Sequence, residues 1–287
     1  MSPSTTLRPI RFDGDRRHAL ALATGEGASP EAFASDVARA LDEAERDGAL
    51  LAYGLVARAH VDAVERLGFS CLGAAPALVR PLRISALASR LGVSAALSGA
   101  LPGPALVAPF GGKRSPAVRE ITAPEPRVTR LWDRYSIDIG FAAERNARWV
   151  DARVFERLSD RGYRVLVFED GERYVIRAMC IYRVDGAHGW VAELLHDRTV
   201  PAMRAASHLL GLALRDMSAR GVAAVSAWSL PHSGSSPMYM RHAFLPAARA
   251  AVPGDLVFYV RAIDPRVDGV ATERHRWFLS GLDLEDV

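Results

Sequence analysis

Three side chains in the second half of this 287-residue chain are of types that move protons. Tyr239 lies in the run Pro237-Met-Tyr-Met-Arg-His-Ala-Phe244, a short helical pattern close behind the strand-like Val222–Trp228. A phenol there can act as a proton donor. Glu193 falls within Gly189–His196, which otherwise reads as an apolar strand. Val191 and Leu195 share its face; Trp190, Ala192 and Leu194 take the other. A carboxylate in such a strand is costly unless it is paired or used. Glu193 is therefore either a general base or the partner of one of the many arginines. His196, ending the strand, is the other candidate base. Trp228 ends the next strand and His232 lies just beyond it; each either lines a binding site or packs. The eight histidines and two cysteines show no metal-ligand spacing, so no metal is expected.

The elements that must position these residues are legible as a series. Tyr163–Glu169 is a strand, Asp170-Gly171 a hairpin turn, Arg173–Arg183 the return strand, and Gly189–His196 a third strand after the Asp185-Gly186 turn. A long helix runs from about Thr199 to Arg220 and is closed by Gly221; Met203, Ala206, Leu210, Ala213, Leu214 and Met217 line one face. Two helical stretches, 128–148 and 153–161, come before the meander. The first half is shorter. Arg17–Thr24 reads as a strand, Ser29-Pro30-Glu31 opens a helix that stops at Gly48, and Leu50–Gly54 is a second strand. His60–Phe69 is a short helix and Leu78–Leu82 the next strand and an exit. Residues 84–100 show one more helical pattern, with Leu87, Leu91 and Ala95 on one face. Residues 101–126, dense in Pro and Gly, read as a linker or an irregular wrap. The expected division is 1–100, 101–126 and 127–287.

Strand, short helix with Tyr five residues before Phe, then strand: this resembles the second half of a GCN5-related N-acetyltransferase (GNAT). The family signature reads Asn-x-x-Ala-x-x-Leu-Tyr-x-x-x-Gly-Phe. Met238, Tyr239 and Phe244 match it, while His232, Ser235 and Ala243 replace the Asn, Ala and Gly. A second copy runs through His60–Phe69, where Val64 stands in the tyrosine's place. The chain thus resembles a tandem GNAT protein of α/β (α+β) class: a mixed central sheet flanked by helices, in two related halves. The first half looks truncated and degenerate, the second complete. The end, Arg274–Val287, is similar to the Trp-x-Leu-x-x-Gly-Asp-x-Asp tail of tandem GNAT proteins found near polysaccharide or natural-product genes.

The resemblance implies acyl transfer, an acetyl or other acyl group passing from CoA to a small-molecule amine, with Tyr239 protonating the departing thiolate. It implies Glu193 or His196 as base and a free backbone N–H near Leu195 or His196 polarising the thioester carbonyl. The pyrophosphate would lie at the N-terminus of the long helix, where free N–H groups and the helix dipole suit an anion. The family loop, Gln/Arg-x-x-Gly-x-Gly/Ala, is matched in Pro201–Ala206 by Ala206 alone. Arg204 occupies the first glycine's place, so Arg198 or Arg204 takes the phosphate, or the helix simply packs. In the first half Gly25-Glu26-Gly27 leads into the helix, and Glu26 and Glu31 would repel a pyrophosphate. Other readings are a noncatalytic GNAT-like binding protein, a Fem-type transferase that uses aminoacyl-tRNA, and a GNAT fold turned to chemistry such as decarboxylation.

Bulk properties agree with a folded protein: 49% of residues are hydrophobic and 24% charged. A net charge of +3 is too weak to argue for nucleic acid alone, which leaves tRNA as the one nucleic-acid partner to consider. Lys113 is the only lysine, so catalytic lysine chemistry is nearly excluded. Cys71 and Cys180 give no disulfide framework. No apolar run approaches the ~20 residues of a membrane helix, and Met1–Arg8 lacks a signal-peptide apolar region. The expectation is a cytoplasmic protein without a membrane partner.

Overall fold

The computed structural model describes residues 5–12, 15–23, 28–83, 114–171, 174–247 and 256–283. The expected helix at 84–100, Lys113 and the Gly25–Gly27 loop lie outside them. The first half forms β1 (Thr5–Phe12), β2 (Asp15–Ala23), a helix Pro30–Arg46, β3 (Leu51–Ala57), a short helix Val61–Arg66, β4 (Ser70–Ala74) and β5 (Ala77–Pro81). The second forms β6 (Val118–Ile121), a helix Pro126–Tyr135, β7 (Phe141–Ala143) and a helical segment from Ala147 to Phe155. There follow β8 (Arg164–Asp170), β9 (Val175–Asp185), β10 (His188–His196), the long helix Val200–Ala219, β11 (Ala224–Trp228) and a short helix Ser236–Arg241. β12 (Leu245–Pro246) and β13 (Leu256–Ala262) come last, before a tail of single helical turns that ends at Asp283. Several elements depart from the sequence reading. β1, β4 and β13 are strands it did not include, β7 interrupts the stretch expected as helix 128–148, and β6 is a strand inside the expected linker.

The strands build two mixed sheets, ordered β4-β13-β3-β2-β1-β7 and β12-β5-β11-β10-β9-β8-β6. The halves trade their last strands. β5, the exit strand of the first half, pairs with β11 and β12; β13 pairs with β3 and β4. Neither half closes its own sheet, and cutting the chain between them would take a strand from each. β7 adds a further crossing, pairing with β1.

The shared pattern is visible atom by atom. Ser29 and Thr199 cap the two main helices through Ala32 N and Ala202 N. Gly48 and Gly221 end them with positive φ of 70° and 86°. The short helices end alike: Phe69 N donates to Val64 O at 3.1 Å, and Phe244 N to Tyr239 O at 3.0 Å. Gly68 has φ 79° there and Ala243 φ 56°. Ala243 thus keeps the left-handed turn of the glycine it replaces, a conformation that costs an L-residue about 1 kcal/mol or more. These bonds equate Val64 with Tyr239.

Apolar burial is distributed to both faces of each sheet. The long helix packs Leu209, Leu210 and Leu214 against β9 to β11, and the helix Pro126–Tyr135 packs Leu131 and Trp132 on the opposite face. In the first sheet Phe33, Val37 and Leu41 cover one face. The other face meets Trp228, Leu230 and the tail residues Trp277 and Leu279. Each such side chain contributes about 1.5–3 kcal/mol by leaving water. Among the described residues no helix is long and apolar enough to cross a membrane.

Candidate functional site

The second sheet opens at one place. β10 and β11 run parallel and pair from His188/Ala224 to Val191/Ala227. β10 then continues to His196 with no partner on that side, while it stays paired to β9 throughout. The parting coincides with a bulge: the β9 register shifts between Val191 and Glu193, which leaves Ala192 extra. A bulge adds twist and bends its strand, which here aims the last residues of β10 away from β11.

Beyond the bulge the backbone donors alternate. Asp197 N donates to Arg177 O at 2.9 Å, a ladder bond to the β9 side. Alternation therefore turns the N–H groups of Leu195 and Glu193 toward β9, and those of Leu194 and His196 toward the gap. Leu194 N–H is taken by Glu193 Oε1 at 3.2 Å. Of the two residues expected to offer a donor, Leu195 is turned away and His196 faces the opening.

Glu193 is buried and fully engaged. Its Oε2 accepts from Arg145 Nε at 3.1 Å and from Ser280 Oγ at 2.7 Å. Arg145, itself completely buried, also pairs with Asp283 and donates to Ala143 O. The guanidinium lies 4.9 to 5.5 Å from the ring centroids of Trp149, Phe278 and Trp132. Burial alone would lower the Arg145 pKa; Asp283 and Glu193 outweigh it, and the net shift is upward, so the cation persists. The paired alternative for Glu193 is what the geometry shows. Its carboxylate pins the bulge to the tail and has no oxygen left for an amine proton. His196 is likewise engaged: Nδ1 lies 2.7 Å from Asp197 O and Nε2 3.0 Å from Gly234 O. Neither ring nitrogen turns a lone pair to the gap.

Tyr239 differs from both. It is 2% exposed, packs edge-on to Phe244, and its hydroxyl makes no hydrogen bond to any described residue. It shares a core cluster with Val191, Leu194 and Ala227, the residues that flank the parting of the strands. Burial pushes its pKa well above 10, and the charges of Cys180 and Glu193 push the same way. The phenol therefore stays protonated. Close by, Tyr135 Oη shares hydrogen bonds with Ser233 Oγ at 3.1 Å and Ser235 Oγ at 3.4 Å.

The start of the long helix is not the open anion nest the resemblance implies. Asp197 Oδ1 accepts from Thr199 N at 3.0 Å and from Thr199 Oγ1 at 2.5 Å. Thr199 in turn caps Ala202 N, and Pro201 has no N–H to offer. Burial works against the Asp197 carboxylate, but Thr199 and Arg177 more than offset it and its pKa is lowered. A fixed negative charge thus stands where a pyrophosphate would lie. Arg198 is bound to Asp138 and to Tyr135 O, with its guanidinium 5.0 Å from the Tyr135 ring. Arg204 is exposed and makes no ion pair with a described residue, while Ala206 is buried in the core. Trp228 packs in the cluster facing the first sheet, and His232 Nε2 lies 2.9 Å from Trp277 O. Among the described residues no group of His, Cys, Asp and Glu is arranged to hold a metal.

The sequence reading missed Arg145 and Ser280, which come to Glu193 from 48 and 87 residues away, and Asp283, which pairs with Arg145 across 138 residues. It also missed the Asp197 cap, whose signal was present: Asp two residues before an N-cap Thr is a short-range capping pattern.

Among solved structures, yeast (Saccharomyces cerevisiae) N-myristoyltransferase with bound myristoyl-CoA superposes with a TM-score of 0.58 at 12% identity, over 90% of this chain. A GCN5-related N-acetyltransferase from Anabaena variabilis gives 0.56 at 10% identity over 91% of this chain. The fold is GNAT-like. With nine-tenths of the chain matched, the likeness runs through both sheets. An Enterococcus faecalis protein of unknown function described as a probable N-acyltransferase gives 0.50 at 12% identity. The chain spans 65%, 59% and 58% of these three proteins' lengths. No protein-family model matches the sequence, and no curated protein matches it.

Proposed function

We propose that the protein is a GNAT-type acyltransferase that moves an acyl group from a CoA thioester to a small-molecule amine, in the gap between β10 and β11. The observation that carries this is the coincidence of the parted strands with Tyr239, a buried phenol without a partner. The amine nitrogen attacks the thioester carbon, the C–N bond forms, and the nitrogen's surplus proton passes to solvent water. The oxyanion meets the backbone N–H of His196, the C–S bond breaks, and Tyr239 gives its proton to the departing thiolate and regains one from solvent. Glu193 has no part in proton transfer here; it holds the bulge that aims the donor. The yeast structure contains myristoyl-CoA, so long as well as short acyl chains belong in the test.

The deciding assay follows thiol release from acetyl-CoA and myristoyl-CoA with a panel of primary amines. Tyr239→Phe keeps the ring and removes the proton. We expect a loss of ~10²–10⁴-fold in rate with little change in melting temperature. Turnover within about threefold of the wild type would make Tyr239 a packing residue and remove the main support. A second reading, a noncatalytic GNAT-like binding protein, is favoured by Asp197 at the helix start, and absence of any thiol release across the panel would select it.

A further inference from the structure

The long helix begins at Val200, just beyond the end of β10, so a diphosphate at the β10/β11 gap would be drawn to its free N–H groups and dipole. In this chain that place is filled from within. Asp197 is 2% exposed and turns its carboxylate back onto the helix start. Its Oδ1 takes the Thr199 N–H at 3.0 Å, and its Oδ2 accepts from Arg177 Nη1 at 2.7 Å. Thr199 Oγ1 takes the Ala202 N–H, Met203 N donates to Thr199 O, and Pro201 has no N–H to give. In the first turn only the Val200 N–H is left over among the described residues.

The side chains around the helix start are committed as well. Arg177 also holds Asp170 at 2.9 Å, Arg198 holds Asp138, and Arg134 Nε stands 4.0 Å from Asp197 Oδ2. These guanidiniums are matched by as many carboxylates, and none is left over for a diphosphate. Arg204 makes no ion pair with a described residue, but it lies with Pro201 on the exposed side of the helix, away from the core residues Ala202 and Ala206. A single solvated arginine there adds little. The edge of β10 is different. Past the bulge it has no partner strand and turns the His196 N–H to the gap, and such an edge takes an extended amide chain. Pantetheine is such a chain. We infer that the acyl donor is held by its pantetheine arm alone, and that Asp197 is the specificity-determining residue that leaves the diphosphate and nucleotide of CoA unbound. The donor class is then the acyl-pantetheine thioester, with the nucleotide dispensable. That the bound arm carries an acyl group for transfer rests on the acyl-transfer reading; the exclusion of the diphosphate does not.

The test is calorimetric titration of the full chain with CoA, pantetheine and ADP, without an acyl acceptor. Pantetheine should bind within about fivefold of CoA, and ADP should neither bind nor displace CoA. Asp197→Asn removes the charge, and CoA should then gain about tenfold over pantetheine, since one charge-assisted bond to phosphate is worth roughly 10- to 100-fold in affinity. A larger preference for CoA in the wild type, displacement of CoA by ADP, binding of none of the three, or an unchanged ratio of CoA to pantetheine affinity in Asp197→Asn would each overturn the inference. If Asp197→Asn does not fold, the wild-type ratio decides alone. Matched binding of CoA and pantetheine, with no thiol release from the acetyl thioester of either, would sink the acyl-transfer reading and leave this inference. Thiol release from acetyl-CoA with little from acetyl-pantetheine would do the reverse.

Discussion

The two halves of this protein carry the same backbone instructions and different chemistry. Ser29 and Thr199 cap matching helices, Gly48 and Gly221 end them, and Phe69 and Phe244 close matching short helices with the same bond. The parallel pairs match too: Leu22 faces Gly54 as Val191 faces Ala227. Then they diverge. In the first half Ala23 still pairs with Leu55, whereas in the second Ala192 bulges and Trp228 turns to β5 alone. Beside the parting in the second half there is a tyrosine; its counterpart in the first half is Val64, completely buried. Caps and turns build the frame, while a one-residue bulge and one side chain decide where a site can form.

The largest effect should come from Arg145, which has two carboxylates to itself. Arg145→Met leaves Glu193 and Asp283 buried without a cation, and unfolding free energy should fall by about 3–5 kcal/mol. Denaturant titration checks this; a loss under about 1 kcal/mol would mean that the network does not pin the bulge. The Val64 site breaks the comparison in the opposite sense to Tyr239. Val64→Ala removes two buried carbons, at ~0.8 kcal/mol each plus a cavity. Stability should drop by about 2 kcal/mol with turnover unchanged, so a large activity loss there would show that the first half takes part in chemistry.

The smallest effect is a pH dependence confined to the second half. Burial and the nearby Arg80 lower the His242 pKa to about 4. Its Nε2 lies 2.9 Å from Ser207 Oγ. An unfolded histidine takes up its proton near ~6.5, while the folded one does not until near 4. Stability is therefore full above the unfolded value and falls between about pH 6.5 and pH 4. Thermal melts of His242→Gln should show a shallower slope over that range, and identical slopes would assign the acid sensitivity elsewhere.

How much of this could be read from the sequence depended on range. The caps, the Gly stops, the meander and the Val64–Tyr239 equivalence are set by residues within a few positions of each other, and all were legible. Strand exchange was not, because Leu78–Leu82 has the same apolar pattern whichever sheet it joins. The engaged state of Glu193 was foreseen only as one of two options, since its partners arrive from Arg145 and Ser280 far along the chain. Asp197 is hard to read at the helix start because its role depends on the carboxylate turning back onto Thr199, while a phosphate loop there would announce itself by glycines.

We propose that the acyl donor enters the second half and not its sister. Hydrogen exchange with and without acetyl-CoA checks this. Exchange should slow in peptides covering 192–204 and 228–240, with 28–69 unchanged. Protection in 28–69, or none in either region at saturating acetyl-CoA, would contradict it.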